Sequence, residues 1–270
     1  MTLPTAIKVA TIQMVSGTDW QANLDEAEKL VLEAAAQGAR LAVLPEYFVL
    51  MGQQDGDKVK LAEPAGDGPI QRFLSNLAKK AGIWLFAGTI PLACDTPGKI
   101  RNTFLVFDDQ GVQQARYDKI HLFGFKKGTE QYEEARTIEA GDKIVVIDTP
   151  FGRIGLSICY DIRFPELFRQ MGAVDVLMVV AAFTKTTGKA HWETILKTRA
   201  IENQCFLIAS GQGGHHQNGR DTFGHSMVID PWGEVLGLKA EGAGVVTAVL
   251  DPHVLATVRE NLPALQHKVL

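Results

Sequence analysis

The chain has 270 residues, of which 46% are hydrophobic and 21% charged, a balance that provides for a substantial buried core. Its formal net charge is −4, and its basic residues are scattered rather than clustered with aromatics, which excludes a surface built for nucleic acid. The opening "MTLPTAIKVATIQM" has no basic region ahead of a continuous apolar run, and no stretch approaches the roughly 18 apolar residues that span a bilayer.

The three cysteines, Cys94, Cys159 and Cys205, are widely spaced and contain no CxxC pair. That pattern argues against a disulfide framework or a zinc site and predicts a protein of the reducing cytoplasm.

In chain order, "IKVATIQM" alternates as a half-buried strand does, and "NLDEAEKLVLEAAAQG" has helical periodicity with Gly38 as its expected C-cap. "ARLAVLPE" reads as a short strand ending at Pro45 and Glu46. A helix is predicted over about Gly68 to Lys80, then a strand at "IWLFAGTI". "RNTFLVFDDQG" and "VQQARYDKIHLF" read as two strands joined at Asp109–Gly111, followed by an irregular stretch. "KIVVIDT" and "GRIGLSIC" form a second pair around Pro150–Gly152. A helix from about Asp161 to Met171 precedes the strand "VDVLMVVAA", and another from about Ala190 to Asn203 precedes "CFLIAS". The loop "GQGGHHQNGR" leads to strands at "HSMVID", "GEVLGL" and "GVVTAVL" and to a closing helix. Alternating strands and helices mixed with hairpins predict a layered α/β fold, and no linker-like composition divides the single domain of residues 1–270.

Three expected strands end abruptly on reactive groups: Glu46 after "LAVLP", Lys119 after "QQARYD" and Cys159 after "GRIGLSI". Ligands gather where strands end in α/β folds, because loops there carry reactive groups on a rigid scaffold. A thiol, a carboxylate and an ammonium suffice for acyl transfer: one attacks, one moves the proton, and one meets the developing oxyanion. Each residue also has a plainer reading, as a buried core cysteine, a turn carboxylate and a solvated lysine. Spacing alone does not bring the three together.

The motifs "LAVLPEYF", "YDKIHLF" and "GLSICYDIRFPEL" resemble, in order, the three signatures of the nitrilase superfamily of carbon–nitrogen hydrolases. The resemblance implies a four-layer α-β-β-α sandwich that assembles as a homodimer or higher homo-oligomer, without cofactor or metal. It implies Cys159 as nucleophile, Glu46 as general base and acid, and Lys119 as oxyanion stabiliser, with the Tyr160 N–H beside it. A second glutamate, aligned through "TIEAGD", falls at Glu134, with Glu133 the competing register. Ala135 stands where relatives often have serine.

"CYDIRFPEL", "TTGKAHWE" and "GHSMVIDPWGEV" resemble the Nit branch, whose members hydrolyse amides of small carboxylic acids. The implied substrate is a keto-acid γ-amide, with deaminated glutathione ahead of 2-oxoglutaramate or succinamate. An N-carbamoyl amino acid hydrolase or a non-catalytic member of the fold is the remoter alternative. Arg163 suits a substrate carboxylate, its competing role being an ion pair with Asp161 or Glu166. Thr187 matches a position that contacts substrate. Lys189 replaces a proline and is expected to be solvated. The adjacent His215 and His216 lack chelate spacing and are expected on a mobile pocket-rim loop. Glu202 and Asn203 are expected to organise packing.

Overall fold

The computed structural model describes residues 3–128 and 130–269. Strand β1 (Ile7–Gln13) leads to helix α1 (Trp20–Ala36), which is capped by the Asp19 carboxylate accepting from the amides of Gln21 and Ala22. Gly38 sits one residue beyond the C-cap Gln37, at φ +86°, a conformation that costs glycine little. There follow β2 (Leu41–Val43), the single-turn α2 (Asp57–Lys60), α3 (Pro69–Ala81), β3 (Trp84–Ala93), β4 (Ile100–Phe107) and β5 (Gln113–Asp118).

A hairpin, β6 (Gly124–Lys127) and β7 (Glu130–Glu133), occupies the stretch expected to be irregular. Then come β8 (Val146–Thr149), β9 (Gly152–Ile158), α4 (Pro165–Gln170), β10 (Val176–Ala181), α5 (Lys185–Asn203) and β11 (Phe206–Gly211). The expected loop at 211–223 is instead organised as a second hairpin, β12 (Gly213–His215) and β13 (Asp221–Phe223). Strands β14 (Ser226–Ile229), β15 (Val235–Lys239) and β16 (Gly244–Leu250) precede α6 (Pro252–Asn261).

Two six-stranded sheets result, ordered β16-β1-β2-β3-β4-β5 and β15-β14-β11-β10-β9-β8. Each has three parallel strands at its centre, β1-β2-β3 and β9-β10-β11, with antiparallel strands outside. Alternation along the strands assigns the faces. Ala10, Ile12, Ala42 and Leu85 pack with Leu24, Leu30, Leu74 and Leu77 of α1 and α3. Val9, Val43, Phe86 and Phe104 face the second sheet. Leu167, Phe168, Trp192 and Leu196 of α4 and α5 cover that sheet's far side. The layers are therefore α-β-β-α, and β10, covered on both faces, is buried at every residue.

The inner faces are also bonded to each other: Thr11 Oγ1 donates to Ala209 O at 2.7 Å, and Ser210 Oγ to Ile12 O at 2.6 Å. No helix among the described residues is long and apolar enough to cross a membrane.

Three departures from the sequence reading have local causes. The strand expected to run through Phe123 stops at Asp118. The helix expected from Asp161 splits into a 3₁₀ turn, Cys159–Arg163, and α4, because Pro165 lacks an N–H and restricts Phe164 before it. Helix α5 starts five residues early because Thr184 caps it, its Oγ1 accepting from Thr187 N at 3.3 Å.

Candidate active site

Glu46 lies three residues beyond β2, where Pro45 has ended the strand. Strand β3 shifts register between Phe86 and Thr89, and Gly88 within the shift has φ +49°. A Cβ there would stand 2.2 Å from the Pro45 carbonyl oxygen, so only glycine lets the Glu46 loop lie this close. The same irregularity presents Thr89 Oγ1 to the Tyr47 N–H at 2.9 Å, which helps hold Tyr47 in its left-handed conformation at φ 55°.

Cys159 closes β9, also left-handed at φ 50°. The buried Asp161 fixes the turn beyond it. Its Oδ2 accepts from Ile158 N at 2.8 Å and Tyr117 OH at 2.7 Å, and its Oδ1 from His121 N at 3.1 Å, with His121 Nδ1 at 2.8 Å. One carboxylate thus joins the cysteine turn to β5 and to the segment following Lys119.

Lys119 follows β5 directly and is fully buried. Its ammonium donates to Glu46 Oε1 at 2.8 Å and Glu134 Oε1 at 3.0 Å, with Glu134 Oε2 at 2.8 Å. Glu46 also accepts from Asn102 Nδ2 on Oε1 at 2.9 Å, and from Ala182 N on Oε2 at 2.8 Å. The Ala182 amide comes from the end of β10, so the second sheet orients a carboxylate of the first. Glu134, carried on a 3₁₀ turn after β7, further accepts from Tyr47 OH and Phe123 N, each at 2.8 Å. The neighbouring Glu133 is exposed, and it is Glu134 that reaches the lysine.

The electrostatics follow from burial and charge. Burial alone would lower the Lys119 pKa, but the carboxylates of Glu134 and Glu46 outweigh it and hold the ammonium charged. Burial would raise the Glu134 pKa, yet Lys119, the Phe123 amide and the Tyr47 hydroxyl hold it below the usual glutamate range. Burial first, and then the Glu46 charge, push the Cys159 thiol well above its ordinary value, against the pull of Lys119. Sulfur therefore rests as a thiol beside a carboxylate that can accept its proton, and an ammonium that can meet an oxyanion.

Glu46, Glu134 and Cys159 open onto a cavity walled by Tyr47, Phe123, Phe183, Thr184, Thr187 and Arg220. Thr187 stands with its Oγ1 2.8 Å from that of Thr184. Tyr160 packs edge-on against Phe123 and Phe164 and does not line the cavity. Arg163 does not line it either, and pairs with neither Asp161 nor Glu166. Its guanidinium lies 5.2 Å over the Phe183 ring and 3.4 Å from His191 Nδ1, so Phe183 stands on the cavity wall where Arg163 was expected.

Lys189 is exposed on the outer side of α5. The adjacent histidines diverge: His215 faces Asp221 in solvent, while buried His216 bonds Ser16 O at 2.9 Å and Thr222 Oγ1 at 2.7 Å. Glu202 bonds Arg199, and Asn203 Nδ2 donates to Arg199 O, both within the packing of α5.

Sequence reasoning missed Tyr47, Asn102 and Arg220, and took Asp161 only as a partner for Arg163. Two signals existed: a lone Asn in the apolar strand "IRNTFLVF", and an Asp three residues beyond Ile158, the offset of a side chain that caps its own turn.

A carbon–nitrogen hydrolase family model matches residues 8–260. A deaminated glutathione amidase of Synechocystis sp. is 41% identical over 266 residues, covering 96% of this chain and 97% of the relative. One from Yersinia enterocolitica is 38% identical over 264 residues, covering 96% and 92%. The crystal structure of Saccharomyces cerevisiae Nit3, a member of branch 10 of the nitrilase superfamily, superposes with a TM-score of 0.87 at 33% identity, covering 97% of this chain and 96% of that one. The chain belongs to the carbon–nitrogen hydrolase family, as an amidase of its Nit branch.

Proposed function

We propose that this amidase hydrolyses the γ-amide of deaminated glutathione through a thioester on Cys159. The buried array of Glu46, Lys119 and Glu134 beside the thiol carries the mechanism, and the relatives' shared name supports the substrate.

Glu46 takes the Cys159 proton as sulfur attacks the amide carbon, and Lys119 with the Tyr160 N–H meets the oxyanion. The tetrahedral species collapses as the carbon–nitrogen bond breaks and Glu46 passes its proton to the departing amine. Glu46 then takes a proton from water, which attacks the thioester. Collapse releases the keto acid, and the sulfur recovers the proton. Glu134 holds Lys119 in place throughout, and Thr187 borders the acyl group. Arg163 acts one layer back, supporting the wall at Phe183.

The reading takes residues 1–270 as one domain acting in the cytoplasm as a homodimer or higher homo-oligomer. Apolar side chains left in solvent, such as Trp232 and Leu238, supply surface for self-association.

Kinetics on deaminated glutathione, 2-oxoglutaramate and an N-carbamoyl amino acid test the substrate. A kcat/KM preference for 2-oxoglutaramate overturns it and leaves the chemistry standing. Intact-mass analysis tests the chemistry: Cys159→Ala should lose both the acyl adduct and turnover, and a variant that kept normal turnover sinks the scheme.

A further inference from the structure

The cavity beside Cys159 has a neighbour. It shares Tyr47 and Arg220 with a second hollow, bordered by Met51, Gln54, Asp55 and Lys58. Two cations thus border these adjoining hollows, and neither forms an ion pair among the described residues. The Arg220 guanidinium lies 4.9 Å over the Tyr132 ring, and its buried Nε has no hydrogen-bond partner. Lys58 Nζ lies 5.3 Å from the centre of the Tyr47 ring. Aromatic faces hold a cation in place without neutralising it, which leaves both groups able to bind an anion.

The backbone makes this a built feature. Arg220 N donates to Asn218 Oδ1 at 3.0 Å, and Asn218 Nδ2 donates to Gly52 O at 2.7 Å. The loop that carries Arg220 is thereby tied to the segment leading into α2, where Lys58 resides. The charge balance at the reaction centre adds to the case. Two carboxylates, Glu46 and Glu134, face one ammonium, an environment that repels an acidic substrate unless cations compensate along its path. Asp55 is the one carboxylate bordering the second hollow, and it is exposed.

We propose that Arg220 and Lys58 form a carboxylate subsite for the amine half of the substrate, selecting amides whose leaving amine carries an acidic end. The direction comes from Tyr47. It follows Glu46, the group assigned to protonate the departing nitrogen, and with Arg220 it lines both hollows. A chain leaving that nitrogen along Tyr47 meets Arg220 first and Lys58 beyond it. The proposal rests on the amidase reading above and extends it: the leaving amine of deaminated glutathione is a dipeptide ending in a carboxylate, whereas 2-oxoglutaramate releases only ammonia.

The test compares kcat/KM for these two amides in the parent enzyme and in Arg220→Met, Arg220→Lys and Lys58→Met, each checked for folding by circular dichroism. The ratio of deaminated glutathione to 2-oxoglutaramate should fall roughly 10- to 100-fold in Arg220→Met, mainly through KM, as expected for losing a charge-assisted contact. Lys58→Met should shift it in the same direction, and Arg220→Lys should recover part of the loss. Equal damage to both substrates would place the cations on the acyl half and overturn the assignment. A parent that turns over deaminated glutathione, with the ratio unmoved in both Met variants, removes the subsite alone. A parent that does not turn it over removes the substrate reading as well.

Discussion

Replacing Glu46 by glutamine separates the carboxylate's chemical work from its structural work. The carboxylate accepts three hydrogen bonds, two on Oε1 from Lys119 and Asn102 and one on Oε2 from the Ala182 amide. Glutamine can keep its oxygen toward the first pair only by turning its NH₂ onto the Ala182 N–H. One buried donor then faces another, at a cost of about 1–3 kcal/mol in stability. The loss of proton transfer is larger: a positioned general base contributes roughly 10²- to 10⁴-fold, or about 2.7–5.5 kcal/mol of barrier, and both half-reactions rely on it. Steady-state kcat/KM, with urea unfolding on the same preparation, separates the two effects. A second signature points the opposite way. Burial and then the Glu46 charge hold the Cys159 thiol up, so removing the charge should raise the thiolate population, read by its ultraviolet absorbance, even as turnover collapses. A folded Glu46→Gln enzyme that kept kcat/KM within about tenfold of the parent would refute the base assignment.

Gly88→Ala should destabilise the protein by several kcal/mol and lower activity, because the new methyl meets the Pro45 carbonyl at 2.2 Å and displaces the Glu46 loop; thermal melts and kcat check it. Asp161→Asn turns an NH₂ toward the donors that Asp161 now accepts from, and should cost about 1–3 kcal/mol while loosening the Cys159 turn, seen as a drop in kcat on a folded enzyme. The Glu134 pKa is depressed in the fold. Its stabilising effect is therefore complete above the usual glutamate range and is lost as pH falls through the folded value. The melting-temperature gap between the parent and Glu134→Gln should accordingly be full at neutral pH and close on acidification. A gap that widened toward acid would contradict the Lys119–Glu134 pairing.

The sequence made the strand ends visible because an apolar run that stops on a reactive group is a local pattern. Glu46 and Cys159 show it, while Lys119 closes the more polar strand "QQARYD", and that the three converge depends on sheet order. β5 lies at the edge of the first sheet and β9 within the second, and spacing carries no trace of that arrangement. The two hairpins at 124–133 and 213–223 were missed for a different reason. "GFKK" and "EQYE" are short and largely exposed, and the second hairpin is built on glycine and histidine, so neither displays the alternation of a half-buried strand. Arg220 sits on that second hairpin, which is why a cation at the cavity mouth went unseen. Arg163, four residues from the thiol, drew attention by proximity, yet the 3₁₀ turn directs it onto Phe183 and His191.

The Ala182 amide that grips Glu46 belongs to one sheet, and the carboxylate to the other. Neither half of the sandwich can assemble the reaction centre alone. An isolated first sheet would hold Glu46 without one of its donors, and an isolated second sheet would present a thiol with no base. Recovery of activity on refolding should therefore report the docking of the sheets. It should lag behind the far-ultraviolet signal of strand formation, so that the enzyme serves as its own clock for the last step of its folding.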